Sequence, residues 1–234
     1  MAMATLRHGV IEYRGDRGLR GHERWSISID QDGTRTLSAH CRMFDTRIER
    51  WVVHSVDERM RPLRSFISHR QQGRFLGEGR FWFTPGLLSG HSHTPSGVVT
   101  QQVRVDGPID FFVPHAVAGD SWITPACVRH GAWHPVRHGY ASSLLADGST
   151  GPLIEHHANL RLRYVGQEQV RVPAGEFTTA HIVVSVQPGV EEHLWVTDDA
   201  FVMLVKLRSD RLATTYVLTE LVEEEVWPAT PTHP

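Results

Sequence analysis

A chain of 234 residues with 40% hydrophobic content has material for one sizeable core, and with a formal net charge of −2 nothing suggests a nucleic-acid or membrane-surface partner. No run of about 18 apolar residues exists, so no membrane-spanning helix is expected, and the polar stretch Met1–Arg20 lacks the apolar segment of a secretory signal. Cys41 and Cys127 are the only cysteines, too few for a structural zinc site; without a signal they read as free thiols and point to the cytoplasm.

In chain order, strand signals dominate. His8–Arg14 reads as a first strand and the glycine- and arginine-rich Gly15–Gly21 as a turn. His22–Asp30 alternates, with Trp25, Ile27 and Ile29 on one face. Gln31-Asp32-Gly33 turns into Thr34–Met43, followed by Ile48–Val56 and Leu63–Arg70. Gln71-Gln72-Gly73 leads into Arg74–Thr84, Pro85-Gly86 into Leu87–His93, and Pro95-Ser96-Gly97 into Val98–Val105. Gly77 and Gly79 inside the Arg74–Thr84 run mark a bulge or tight bend. The pattern then breaks. Residues 107–143 carry prolines, glycines, aromatics and histidines and read as an irregular, short-helical crossing segment, of the kind that serves as a lid or subunit arm.

Strands resume at Arg161–Val172, Glu176–Gln187, Val190–Thr197, Ala200–Arg208 and Arg211–Leu221. Two-residue loops at Pro188-Gly189, Asp198-Asp199 and Ser209-Asp210 would set Val183 opposite Leu194, Leu194 opposite Met203, and Met203 opposite Tyr216. In that register Phe177, His181, Leu194, Phe201, Met203 and Tyr216 share one face, with Glu192 near its end. Both faces are apolar, so cover is needed on both sides. Trp195, Val202 and Leu204 on the second face point to a homodimer.

The reading is a mainly β, antiparallel meander forming a curved-sheet or lipocalin-like β-barrel. A single domain spans 1–227, with an N-terminal meander at 8–105, a crossing segment at 107–150, a C-terminal meander at 155–222 and a disordered tail at 228–234. Val172-Pro173-Ala174-Gly175-Glu176-Phe177, then Trp195 before Asp198-Asp199, then Val205-Lys206 and Thr215-Tyr216-Val217-Leu218, resembles the closing part of LolA/LolB-like and lipocalin-like bacterial curved-sheet (half-barrel) proteins of unknown function. The resemblance covers residues 160–221. It implies a fold and no particular chemistry.

Sixteen histidines are the loudest compositional signal. His91 and His93 project to one face of a strand, which is workable spacing for two metal ligands with a third needed from elsewhere, although a solvent-facing or hydrogen-bonded pair is the favoured reading. His130, His134 and His138 are four apart, but Gly131, Pro135 and Gly139 argue against a helix that would align them. His156 and His157 diverge on a strand. No nucleophile elbow, Walker loop or dinucleotide fingerprint is present, so no cofactor is expected.

His181 and Tyr216 on the apolar face form a candidate acid/base pair, with His54 a third candidate on a strand shared with Arg50. Arg50, Arg64, Arg80 and Arg104 could anchor an anion, and Trp82, Phe177, Leu194, Phe201 and Met203 could hold an aromatic body. The expected function is therefore binding of a hydrophobic, aromatic small molecule, with or without a carboxylate, in a lumen, with cofactor-independent lyase, isomerase or hydratase chemistry. A non-catalytic lipocalin-like carrier or sensor is the alternative, and a metal enzyme built on His91 and His93 the third reading.

Overall fold

The computed structural model describes residues 5–127, 129, 131–145, 148–157, 160–187 and 189–225. The N-terminal meander comprises β1 (Thr5–Gly15), β2 (Gly18–Ile29), β3 (Arg35–Met43), β4 (Ile48–Val56), β5 (Pro62–Gln71), β6 (Arg74–Thr84), β7 (Leu87–Thr94) and β8 (Gly97–Arg104). The crossing segment holds β9 (Phe111–Val113), a 3-10 helix (Val117–Ala126), β10 (His134–Pro135), β11 (Gly139–Ala141) and β12 (Glu155–His156). The C-terminal meander is β13 (Arg161–Val172), β14 (Gly175–Gln187), β15 (Val190–Thr197), β16 (Leu204–Ser209) and β17 (Thr214–Glu225).

The two meanders form one fourteen-stranded sheet, in the order β10-β13-β14-β15-β16-β17-β1-β2-β3-β4-β5-β6-β7-β8. They join where β1 pairs antiparallel with β17, Thr5 opposite Glu225. The sheet ends, β10 and β8, do not pair with each other, so the sheet is barrel-like but open. In the N-terminal half, alternation decides the faces. Leu37, Ala39 and Cys41 of β3, Ile48, Val52 and Val56 of β4 and Phe81 and Phe83 of β6 point inward and are buried, while Trp51, Val53 and Trp82 face out.

The crossing segment packs into the concavity. Phe112 lies 5.0 Å from both Phe81 and Phe83, ring centre to ring centre. Phe111, Trp122, Ile154 and Leu160 are buried with it, and full burial of each such side chain contributes about 2–3 kcal/mol. Trp122 Nε1 donates to Phe201 O at 3.1 Å, tying the helix to the β15–β16 loop. The Gln101 side chain bonds both the N–H and the carbonyl of Ile154, fastening β8 to the segment. The segment expected as a lid or arm thus fills much of the interior.

Several local expectations change. Gly15–Gly21 is not a turn: the strands run on to a two-residue loop, with Gly15 opposite Gly18. A Cβ on Gly21 would collide with Arg42 O, so this glycine serves close strand approach. Gly77 does mark a bulge, where His69 pairs Gly77 but Arg70 pairs Phe75, and Pro152 of the crossing segment packs over it.

The C-terminal register also differs. Gln187 pairs with Val190, but a bulge between Ser185 and Gln187 sets Leu194 opposite Ile182 rather than Val183. Residues 198–203 form a longer loop, closed by Thr197 N–H donating to Met203 O, so Leu194 meets Leu207 rather than Met203. Residues 210–213 form the next turn, and Tyr216 likewise faces Leu207 rather than Met203. Trp195 and Leu204, expected to need a partner subunit's cover, are 8% and 1% exposed within this chain. The tail at 228–234, His130 and Pro188 lie outside the described residues.

Candidate functional site

Directly paired residues share a face. Ile182, Leu194, Leu207, Tyr216 and Tyr13 therefore line one face, and His181, Trp195 and Lys206 the other. The first set faces the crossing segment, and its Leu194, Leu207, Tyr216 and Tyr13 border a cavity of about 130 Å³. Apolar cavities of about 150 Å³ hold one benzene ring, so this one suits a ring-sized guest. Val184, Val186, Leu194, Leu207, Ile123 and Leu160 provide its apolar wall; Tyr216, Asp120 and Glu192 provide polar groups.

Glu23 explains how the helix that carries Asp120 is placed. This carboxylate is fully buried on β2. Its Oε2 accepts from Tyr13 Oη (2.9 Å), Cys41 Sγ (3.2 Å) and Val117 N–H (2.8 Å), and its Oε1 from Ala118 N–H (2.9 Å). The two amides open the 3-10 helix, where unpaired N–H groups need acceptors. Burial pushes the Glu23 carboxyl up, while its hydrogen bonds hold it down. Cys41 and Cys127 are both buried and neither is in a disulfide.

Three residues into that helix, Asp120 borders the cavity with Oδ1 buried and without a hydrogen-bond partner. Burial drives its pKa well up, the charges of Glu192 and Glu23 add to this, and Arg50 opposes it. A carboxyl so placed is held protonated and can donate. Glu192, on β15, accepts from Ser209 Oγ at 2.8 Å. Tyr216 packs edge-on against Tyr13 at 4.8 Å; burial, then Glu192 and Asp120, raise its phenol.

Two of the cations around the cavity, Arg20 and Arg50, are braced. Arg20 donates to Asp45 Oδ2 at 2.7 Å, to Leu212 O at 2.8 Å and to Thr214 Oγ1. Arg50 Nη1 donates to His115 O at 2.6 Å. His157 lies at the cavity with its pKa lowered by burial, Arg211 and His156. Two neutral donors, one carboxylate and an apolar wall can orient a small carbonyl or hydroxyl compound and exchange a proton with it.

The sequence candidates distribute unevenly. Tyr216, Leu194 and Arg50 border the cavity. His181 does not join Tyr216: the bulge in β14 puts it on the opposite face, 4.5 Å from the Trp195 ring. His54 is buried against Phe112 and Trp122 and is not among the cavity residues. Arg64, Arg80, Trp82 and Arg104 are exposed on the outer side of the sheet, so the arginines and Trp82 do not reach the interior. Phe201 and Met203 are core residues of the β15–β16 loop, and Phe177 is partly buried near the β13–β14 turn. His91 and His93 are exposed, and among the described residues no group of three or more His, Cys, Asp or Glu could hold a metal ion. Asp120 and Glu23 went unnoticed. Glu23 left a signal, an acidic residue at an inward position two before Trp25; Asp120 left none.

Fold and cavity together define a β-barrel-like protein with an open curved sheet and a filled interior. No family model matches the chain, and no curated protein does. Among solved structures it is similar to a β-barrel-like protein of domain of unknown function DUF1849 from Brucella abortus, at a TM-score of 0.53 and 10% identity over 96% of this chain and 98% of that one. A protein with a YmcC-like fold from Bacteroides fragilis aligns at a TM-score of 0.28 and 8% identity, over 95% and 96% of the two chains. The first likeness shows the β-barrel-like fold. Neither neighbour bears the LolA/LolB-like name that the C-terminal motif suggested.

Proposed function

We propose that the cavity binds a ring-sized, largely apolar molecule bearing a carbonyl or carboxyl group, and that the protein moves a proton on it as a lyase or isomerase using its own side chains. The reading rests on Asp120, a carboxyl with an unpartnered buried oxygen beside an apolar chamber. Leaving a buried polar atom unpaired costs about 1–3 kcal/mol, a cost that a guest's oxygen would offset. In this scheme Asp120 and Tyr216 donate to the guest's oxygen and Glu192 accepts the mobile proton. The sheet stands between His181 and this chemistry.

The test is Asp120→Leu. It should stabilise the protein by about 1–3 kcal/mol in urea unfolding, because the unpaired group is gone. It should also abolish the thermal shift given by cyclic ketones and aromatic acids on the wild type. Loss of stability in Asp120→Leu would mean that the carboxyl is structural, and the reading would fail. A carrier is the second reading, favoured by the apolar wall of Val184, Val186, Leu194 and Leu207. It predicts the same binding with no chemical change in the bound molecule, recovered intact by mass spectrometry.

A further inference from the structure

The opposite face of β13–β16 holds a separate chain of hydrogen bonds. Trp195 Nε1 donates to Glu168 Oε2 at 2.7 Å. Glu168 Oε1 meets His181 Nδ1 at 2.7 Å, and His181 Nε2 meets His193 Nδ1 at 2.9 Å. The three links come from β13, β14 and β15. His181 lies flat on Trp195, which Lys206 Nζ covers from 4.8 Å. His181 is only 8% exposed, so its ring is fixed by packing as well as by both nitrogens. His193 is half-buried at the solvent end of the chain.

The protons can be placed from the bonds. The Glu168 carboxyl is held low by the Trp195 and His181 bonds, so it is ionised and only accepts. His181 Nδ1 must then donate to it. A neutral His181 accepts at Nε2, so His193 donates from Nδ1 and keeps its lone pair on Nε2. A carboxylate that orients one imidazole, which in turn orients a second, extends the logic of an activated nucleophile by one ring. Arg208, ion-paired with Asp210 at 3.1 Å, stands directly opposite His193 across β15–β16, and Lys206 shares the face, so cationic side chains lie on the face where an oxyanion would form.

We propose that Glu168, His181 and His193 form a second, solvent-facing site in which His193 Nε2 accepts acyl groups from activated carboxylic esters and passes them to water. Nε2 attacks the ester carbonyl carbon, the carbon–oxygen bond breaks, and the alkoxide or aryloxide leaves with its electron pair. The positive charge on the acylated ring is relieved as its Nδ1 proton moves to His181 Nε2, whose imidazolium rests against the Glu168 carboxylate. Water then adds to the acyl carbon, one of its protons passes to the departed alkoxide or aryloxide, and the carbon–nitrogen bond breaks with its electron pair left on the ring. The carboxylic acid is released and the proton returns from His181 to His193. One ester and one water become one acid and one alcohol. His193 is the catalytic residue; His181 and Glu168 position it.

Two probes test this on the full chain. With diethyl pyrocarbonate, itself an acyl donor, peptide mass spectrometry should show His193 modified about tenfold faster than exposed His91 and His93. With p-nitrophenyl acetate, His193→Ala should remove turnover. Glu168→Gln should lower kcat about 10²-fold with KM and melting temperature unchanged, and Glu168→Asp should restore part of it. Equal labelling of the three histidines, or full turnover in His193→Ala, overturns the proposal. A fall in KM-linked binding or in melting temperature alone in Glu168→Gln would show a structural role and overturns it too. His91→Ala, at an exposed histidine on β7 outside both sites, should leave ester turnover intact.

Discussion

Two inward histidines tie stability to pH. His54 and His69 are 2% and 1% exposed, with Nδ1 of His54 and both nitrogens of His69 unpartnered. Burial lowers each to about 4, helped at His69 by Arg50 and resisted at His54 by a backbone bond to Arg64. The unfolded chain takes up these protons near pH 6.5 and the folded one does not, so stability contributed by neutral burial is lost as pH falls below that value. At pH 5 the two together should cost about 4 kcal/mol. Glu23 and Asp120 act in the opposite sense, since raised carboxyls favour the folded state in acid and lose that contribution as pH rises. The variant difference isolates the histidine: the gap in unfolding free energy between His69→Leu and the wild type should widen in favour of the variant by about 2 kcal/mol from pH 7 to pH 5. A gap that stays constant would place a proton partner on His69.

At the scale of elements, the seam between β1 and β17 depends on Gly9. A Cβ there would collide with Glu220 O beside the bulge between Val10 and Ile11. Gly9→Val should therefore destabilise by about 3 kcal/mol in urea, whereas Gly166→Ala, with open space around it, should be near neutral. Strand positions were legible wherever side chains alternate. Ile48–Val56, Arg74–Thr84, Arg161–Val172 and Val190–Thr197 stand at the boundaries their sequence suggests. Face assignments were less so, because one extra residue in β14 reverses which side His181 takes. The bulge carries no turn residue of its own at Val186. The site was hidden for a different reason: Glu23 reaches Val117 and Ala118 across 94 and 95 positions, a pairing that no local pattern encodes.

For the whole molecule, the open sheet settles how its interior is made. A closed lipocalin-like barrel would leave a lumen; here the described residues of the crossing segment pack into the concavity, with a ring-sized space beside the C-terminal strands. Sequence composition conveyed the apolar character of β14–β16 but not what covers it. The inner cover is the crossing segment, and the outer cover is a layer of long side chains, with Trp195 beneath Lys206 and Trp133 beneath Arg161 and Arg163.

Openness has one more cost. The free border of β8 runs from Gly97 to Val103 without a charge or a proline, and Val98 and Val99 are 59% and 36% exposed. Such a border can recruit strands from other molecules into fibrous stacks, the hazard that gatekeeper lysines suppress elsewhere. Val98→Lys should raise the concentration at which the purified protein begins to scatter light, with the melting temperature unaltered. The strand that leaves the barrel unclosed would thus also set the ceiling on how densely these molecules can be kept in solution.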